Sequence, residues 1–292
     1  MSFRRKLLLV FALTVFLSAA AVAWIVSAFT RRSFERSEEE RTQALVKQFQ
    51  REFDRRGHDV EHRVESIAAG DAAVHMALAL NRGTPDFGAY LTEARSLADG
   101  QRLDFLEFVD SQGTIIASAH APAKFGYKEP SLDLSRPLPK GPYLKKEDLS
   151  EGSVLGVFAA QTVTVAEKPL YVLGGRRLDK DFLGSLELPA GMRALLYQNL
   201  APGFSQQMFI DPSGSLKDAQ KLAPLIQQVQ EKGPEPTEII HWSSSSAEDE
   251  RMQAIPLRGQ DNEPLGVLLV GASRRSYVEL EHRITSVAFL VG

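Results

Sequence analysis

The chain has 292 residues, 43% hydrophobic and 24% charged, enough for one or two folded domains. Its net charge is −3, which excludes the broad basic surface typical of proteins that bind nucleic acid. It contains no cysteine, which excludes thiol catalysis, disulfide bonds and zinc sites built on cysteine.

The first predicted element is a transmembrane helix at Leu7–Phe29, a run without a charged residue. At about 1.5 Å per residue, such a run crosses a hydrocarbon core of about 30 Å. The basic residues at 4–6 favour a cytoplasmic N-terminus, although those at 31 and 32 weaken that bias. A cleaved signal peptide is the alternative, with Ala-Val-Ala at 21–23 as its cleavage site. We favour an uncleaved anchor, because the apolar run is too long for a typical signal peptide. Residues 1–32 are therefore interpreted as a cytoplasmic tail and first span.

Residues 33–100 are predicted to be helical. Val46, Phe53, Val60 and Ile67 recur every seven residues and give one long helix over 33–69 a single apolar stripe. Gly57 interrupts it at a cost of about 1 kcal/mol relative to alanine. A helical pair follows at 72–80 and 87–98, separated by the turn NRGTPD.

The long helix contains the motif H-x-x-E-H at His58, Glu61 and His62, the signature of the inverted zinc metallopeptidases. The two histidines share a helix face, but the sequence offers no third ligand and no walled cleft. We favour a solvated helix face and predict no metal. Adventitious metal binding, pH sensing and a membrane-anchored zinc hydrolase stay as weaker alternatives.

From residue 101 the pattern is typical of β-structure. Residues 103–110 and 114–120 predict a hairpin, followed by a Pro/Lys-rich loop, strands at 154–165 and 169–177, and a helix over 178–186. FVDSQGTI at 108–115 is echoed by FIDPSGSL at 209–216, and PLYVLGGRR at 169–177 by PLGVLLVGASRR at 264–275. We interpret residues 101–186 and 187–281 as two copies of one module.

The chain reads ITSVAFLVG at 284–292, a run too short to span a bilayer. We interpret 282–292 as the start of a second transmembrane helix. The alternative is a short amphipathic helix that packs on the preceding domain. Two spans would place residues 33–281 outside the cytoplasm.

This order of elements resembles the double Cache (PAS-like) input region of bacterial sensor histidine kinases and chemoreceptors. FLEFVDSQGTIIASAHAPAKFGYKEP at 105–130 is similar to the membrane-distal strands of nitrogen-regulation-type sensor kinases. The resemblance implies an α+β fold, with a transmembrane helix, a long juxtamembrane helix and two PAS-like antiparallel-sheet modules. It also implies that the membrane-distal module binds a small molecule and relays a shift across the bacterial inner membrane.

The same resemblance implies a homodimer and a cytoplasmic response regulator as partner. No segment of the sequence resembles a phospho-acceptor histidine region or an ATP-binding lid, so whether the protein is an enzyme stays open. ATP and Mg²⁺ are implied only for a kinase domain outside these residues, and no cofactor is expected within them. The input region of a chemoreceptor or of a cyclic-dinucleotide synthase is the alternative.

Polar residues among the apolar strands of the first module are the candidate ligand-binding groups. Arginine and lysine among them suit a carboxylate or another anion. Each has an ordinary structural alternative, as a solvated loop end or as an anchor that packs the loop on the sheet. The candidates are Ser118, His120, Tyr127, Lys128, Tyr143, Arg176 and Arg177.

Overall fold

The computed structural model of the protein begins with three helices. It describes residues 3–149, 152–165, 167–199, 203–214, 216, 218–232 and 235–279. Helix α1 spans Phe3–Ala68, α2 spans Asp71–Arg82 and α3 spans Phe87–Gln101, which confirms the predicted helices. Gly83 ends α2 in the left-handed conformation (φ 74°), and the Asp86 carboxylate caps α3 by accepting from the Ala89 N–H.

In the part of the chain that the structure describes, no helix meets the length and hydropathy expected of a membrane span. The predicted first span therefore stays a prediction. The predicted second span at 282–292 lies outside the described residues.

The first sheet is antiparallel and has the strand order β2-β1-β5-β4-β3. Its strands are β1 (Phe105–Val109), β2 (Ile115–Ser118), β3 (Tyr143–Leu149), β4 (Gly152–Val163) and β5 (Leu170–Arg177), and helix α4 (Lys180–Gly184) follows. The predicted hairpin, the two later strands and the closing helix are confirmed. The loop prediction was wrong at its end, because YLKKEDL forms β3, in which the buried charged residues Lys145 and Glu147 alternate with exposed ones.

The second sheet repeats this topology with the order β7-β6-β10-β9-β8. Its elements are β6 (Met192–Gln198), β7 (Phe209–Ile210), α5 (Ala223–Lys232), β8 (Thr237–Ile240), β9 (Glu250–Arg258) and β10 (Pro264–Ser273). The two five-stranded sheets agree with the predicted repeat, and β5 and β10 are equivalent strands. The exact bounds of the predicted domains stay predictions.

The other echo does not join equivalent strands. The letters FVD (108–110) lie at the end of β1, whereas FID (209–211) begins with β7, the counterpart of β2. The shared letters come from a turn: Asp110 accepts from the Gln112 and Thr114 N–H groups, and Asp211 accepts from those of Ser213 and Leu216.

The two faces of the first sheet are covered differently. On one face, Leu106 and Phe108 pack against α1, α2 and α3 in a core that includes Val64. On the other face, Phe105 and Phe158 lie in a core under the loop that connects β2 to β3. This segment, residues 119–142, is called the covering loop below.

A third core joins α1 to both sheets. It contains Phe49 of α1, Phe182 of α4, Leu155 of the first sheet and Leu268 of the second, all buried. The Phe49 and Phe182 rings meet edge to face at 5.4 Å between centroids. We call this set the junction core. A cleft of about 560 Å³ opens beside it, lined by α1, the start of β3 and the end of β9.

Candidate functional site

A buried group of charged side chains lies between the first sheet and the covering loop. Strand β1 supplies Glu107 on the same face as Phe105, because alternate residues of a strand share a face. Strand β3 supplies Tyr143, Lys145 and Glu147 in the same way. The group, called the loop cluster, comprises Glu107, Ser118, His120, Lys124, Glu129, Tyr143, Lys145 and Glu147.

Lys145 is the central cation of the loop cluster. Its Nζ lies 2.8 Å from Glu129 Oε1, 2.9 Å from Glu147 Oε2 and 4.9 Å from the centre of the Phe158 ring. Burial opposes its charge, but the surrounding carboxylates outweigh burial and raise the pKa of Lys145. The ammonium is thus held charged in a buried site.

Glu147 contacts three basic side chains, His120, Lys124 and Lys145. Burial opposes its ionisation, but hydrogen bonding by His120 and the charge of Lys145 hold its pKa far below the ordinary range. Lys124, in the 3-10 turn that begins the covering loop, contacts the same carboxylate. Glu147 therefore links β3 to His120 and Lys124, which lie near the start of the covering loop.

Glu107 behaves in the opposite way. Burial raises its pKa to about 8, and the Glu129 and Glu147 charges add to that rise against the attraction of Lys145. For Glu129, Lys145 overcomes the effect of burial and lowers the pKa. At neutral pH the cluster therefore holds a protonated Glu107 beside an ionised Glu129.

His120 is fixed between two carboxyl groups. The Leu106 backbone N–H donates to its Nδ1 at 3.3 Å. Its Nε2 lies 3.3 Å from Glu147 Oε1 and 3.5 Å from Glu107 Oε1. Because Nδ1 accepts a hydrogen bond, the proton of the neutral ring is on Nε2, directed at these oxygens.

Glu107, His120 and Glu147 are also the group of possible metal ligands in the described part of the chain. One ligand atom from each residue lies within 4.8 Å of the other two. A metal on Nε2 would require the proton on Nδ1, where the Leu106 N–H already donates. Lys124 and Lys145 also occupy the Glu147 carboxylate as cations. The arrangement suits protons better than a metal ion.

Three of the predicted ligand-binding residues lie in the loop cluster. Ser118 Oγ donates to Glu107 Oε1 at 3.2 Å, His120 lies between the carboxyl groups, and burial raises the pKa of Tyr143 to about 12. The sequence prediction missed the partly buried Lys124 and four buried ionisable residues, Glu107, Glu129, Lys145 and Glu147. A charged residue inside the apolar strand FLEFV was the one available signal.

The other four candidates lie elsewhere. Tyr127 is 68% exposed, and Lys128 lies at the surface, where it donates to Thr114 Oγ1 at 3.1 Å. Arg176 and Arg177 end β5: Arg176 lies 3.9 Å from Asp104, and the Arg177 guanidinium stacks 5.8 Å above the Phe105 ring.

The H-x-x-E-H residues lie on the solvated side of α1. His58 is exposed and its Nδ1 lies 2.8 Å from the Asp54 carbonyl oxygen of its own helix. His62 is also exposed, 3.7 Å from Glu65. This placement agrees with the favoured interpretation of a polar helix face.

Comparison with known proteins identifies the fold. No protein-family model matches the sequence, and no curated protein is similar to it. The Vibrio cholerae histidine kinase DctB sensor domain is 14% identical, with 79% of this chain and 95% of that domain aligned at a TM-score of 0.51. The periplasmic domain of Vibrio cholerae LuxQ is 12% identical, with 80% and 99% aligned at a TM-score of 0.50.

At this identity the similarity concerns the fold. It agrees with the double PAS-like architecture inferred from the sequence. The nitrogen-regulation subtype stays a prediction. The chain has the double Cache (PAS-like) fold found in periplasmic sensor domains.

Proposed function

We propose that the chain is the extracytoplasmic sensor region of a membrane-anchored bacterial signalling receptor, most plainly a two-component histidine kinase. The observation that carries this proposal is the repeated sheet order on one long helix, in a fold similar to that of a histidine kinase sensor domain. A chemoreceptor or a cyclic-dinucleotide synthase would use the same input region and is the second candidate.

The N-terminal part of α1 supports the anchor. Phe11, Phe16, Trp24 and Phe29 are all more than half exposed, within a stretch that carries no charge from 7 to 29. Apolar surface left in water costs about 25 cal/mol per Å², and a bilayer removes that cost. We infer that this part of α1 is the first span and that residues 33–281 lie outside the cytoplasm.

The loop-covered face of the first sheet is the proposed site of a small ligand. Polar groups converge there among apolar walls, and the covering loop closes it. A ligand that favours one position of this loop shifts the equilibrium by its difference in affinity between the two states. Helix α4 follows β5 directly and packs in the junction core, which gives such a shift a route to α1.

The proposal is tested with a reporter enzyme that is active only outside the cytoplasm. We expect activity when it is inserted after Gly83 or after Gly126, which both lie in exposed turns. Fusion to the N-terminus is the matched control and is expected to be inactive. Inactive reporters at both glycines, with an active one at the N-terminus, would overturn the orientation and the extracytoplasmic assignment.

A further inference from the structure

We propose that the loop cluster makes the first module responsive to the pH outside the cell. One proton shared by Glu107 and Glu129 fastens the covering loop to the sheet, and the loss of that proton loosens the loop. The inference deepens the proposed function and rests on it only for the location of the site.

The two carboxyl groups come from opposite sides of the closure. Glu107 belongs to β1, whereas Glu129 belongs to the covering loop, and they are 2% and 3% exposed. Glu107 Oε2 and Glu129 Oε2 are both buried, and no group among the described residues donates a hydrogen bond to either. The two side chains lie within hydrogen-bonding reach of each other, and one proton on such a pair turns repulsion into a hydrogen bond.

The lysines and carboxyl groups around the pair are equal in charge when that proton is present. Strand β5 contributes the apolar Leu173 opposite Glu107. The titratable groups that face the pair are His120 after β2, Lys124 in the 3-10 turn, and Tyr143, Lys145 and Glu147 on β3. The cluster holds two lysines, Lys124 and Lys145, so protonation of Glu107 leaves two carboxylates for two lysines. Without the proton, three carboxylates face two lysines, and the excess buried negative charge disfavours the closed state.

The remaining ties of the covering loop determine what can move. Backbone hydrogen bonds join it to the β1–β2 hairpin at its near end, such as Ile115 N–H to the Tyr127 oxygen at 2.8 Å and Glu129 N–H to the Gly113 oxygen at 2.9 Å. Beyond Glu129, Leu132 and Leu138 are only partly buried against the sheet. We therefore place the movement after Glu129.

The direction follows from the pKa of Glu107, which burial raises to about 8. Below that pH the proton is held and the loop is fastened. One unit above it, about nine in ten Glu107 side chains have lost the proton. An alkaline exterior is thus the condition that loosens the loop.

The test uses the full chain, which has no cysteine of its own. Leu132→Cys places one thiol on the side of the covering loop that packs against the sheet. In a separate variant, Tyr127→Cys places one thiol at an exposed position of the same loop. The labelling rate of Leu132→Cys divided by that of Tyr127→Cys is largely free of the pH dependence of thiol ionisation. Between pH 7 and 9 we expect this ratio to rise about tenfold.

Two variants decide the assignment. Glu107→Gln keeps a neutral hydrogen-bonding group and is expected to give a flat ratio. Glu129→Gln leaves Lys145 to balance Glu107, so it too is expected to be flat, and it serves if Glu107→Gln does not fold. The exposed Glu93→Gln is the control and should keep the rise.

A flat ratio without these substitutions overturns the inference, and so does an equal rise in either cluster variant. Neither result touches the membrane orientation, which the reporter fusions measure. Conversely, a cytoplasmic orientation would overturn the proposed function while the titration result stood.

Discussion

Substituting Gly57 with alanine sets two effects of known size against each other. A helical glycine is about 1 kcal/mol less favourable than alanine, so the substitution should stabilise α1. A Cβ at this position, however, would lie 2.5 Å from Pro142 Cγ and 2.7 Å from Pro142 Cβ. The proline ring has little freedom to turn away, and overpacking of this kind typically costs about 1–3 kcal/mol. We therefore expect Gly57→Ala to lower the free energy of unfolding by up to about 2 kcal/mol.

The matched control is Gly100→Ala in α3, where an added Cβ has no atom within 4 Å. It should raise the free energy of unfolding by about 0.5–1 kcal/mol. Urea unfolding followed by circular dichroism measures both. Combining Gly57→Ala with Pro142→Ala should recover much of the loss, since the smaller side chain removes the Cγ contact. If Gly57→Ala stabilises the protein as much as Gly100→Ala does, the close approach of α1 to Pro142 is not real.

Three further predictions concern stability and the zinc-like motif. Phe182→Ala should cost about 3–5 kcal/mol in urea unfolding, because it empties the junction core beside Phe49; a loss below about 1 kcal/mol would contradict that packing. Glu147→Gln should cost about 3–5 kcal/mol at pH 7, because it removes a charge partner of the buried Lys145 and of the partly buried Lys124. Folding lowers the pKa of Glu147, so its contribution to stability is present above pH 4.5 and is lost as the pH falls. The stability of the variant should therefore fall less in acid than that of the unsubstituted chain. The same loss of stability in acid for both proteins would refute this. Replacing His58 and His62 together with alanine should change stability by less than about 0.5 kcal/mol, and zinc retained by the unsubstituted chain but lost from the variant would revive the peptidase hypothesis.

The elements that local patterns specify could be predicted from the sequence. Helix α2 ends at a glycine and β5 begins with the uncharged run LYVLGG, and both are properties of neighbouring residues. Strand β3 escaped because Lys145 and Glu147 interrupt it, and charged residues in a Pro/Lys-rich stretch read as loop. Their burial depends on each other's charge and on partners elsewhere in the chain.

The loop cluster could be predicted only in part for the same reason. Ser118 ends the apolar strand β2 and His120 lies two residues beyond it, so both were recognisable as polar groups at a strand end. Glu107 meets Glu129 and Lys145 only after β1 and β3 are placed on one face of one sheet. The sequence contains the residues, but their pairing is a property of the strand order.

The junction core has a consequence for how the chain is made. Phe49 leaves the ribosome early, but its apolar partner Leu268 lies in the last strand of the second sheet. At about 5–20 residues per second, synthesis separates the two by tens of seconds. Throughout that interval one side of α1 faces water without its final covering. Newborn chains are therefore most prone to aggregate before β10 emerges, and truncations that end ahead of Pro264 should be poorly soluble even though the first sheet is complete.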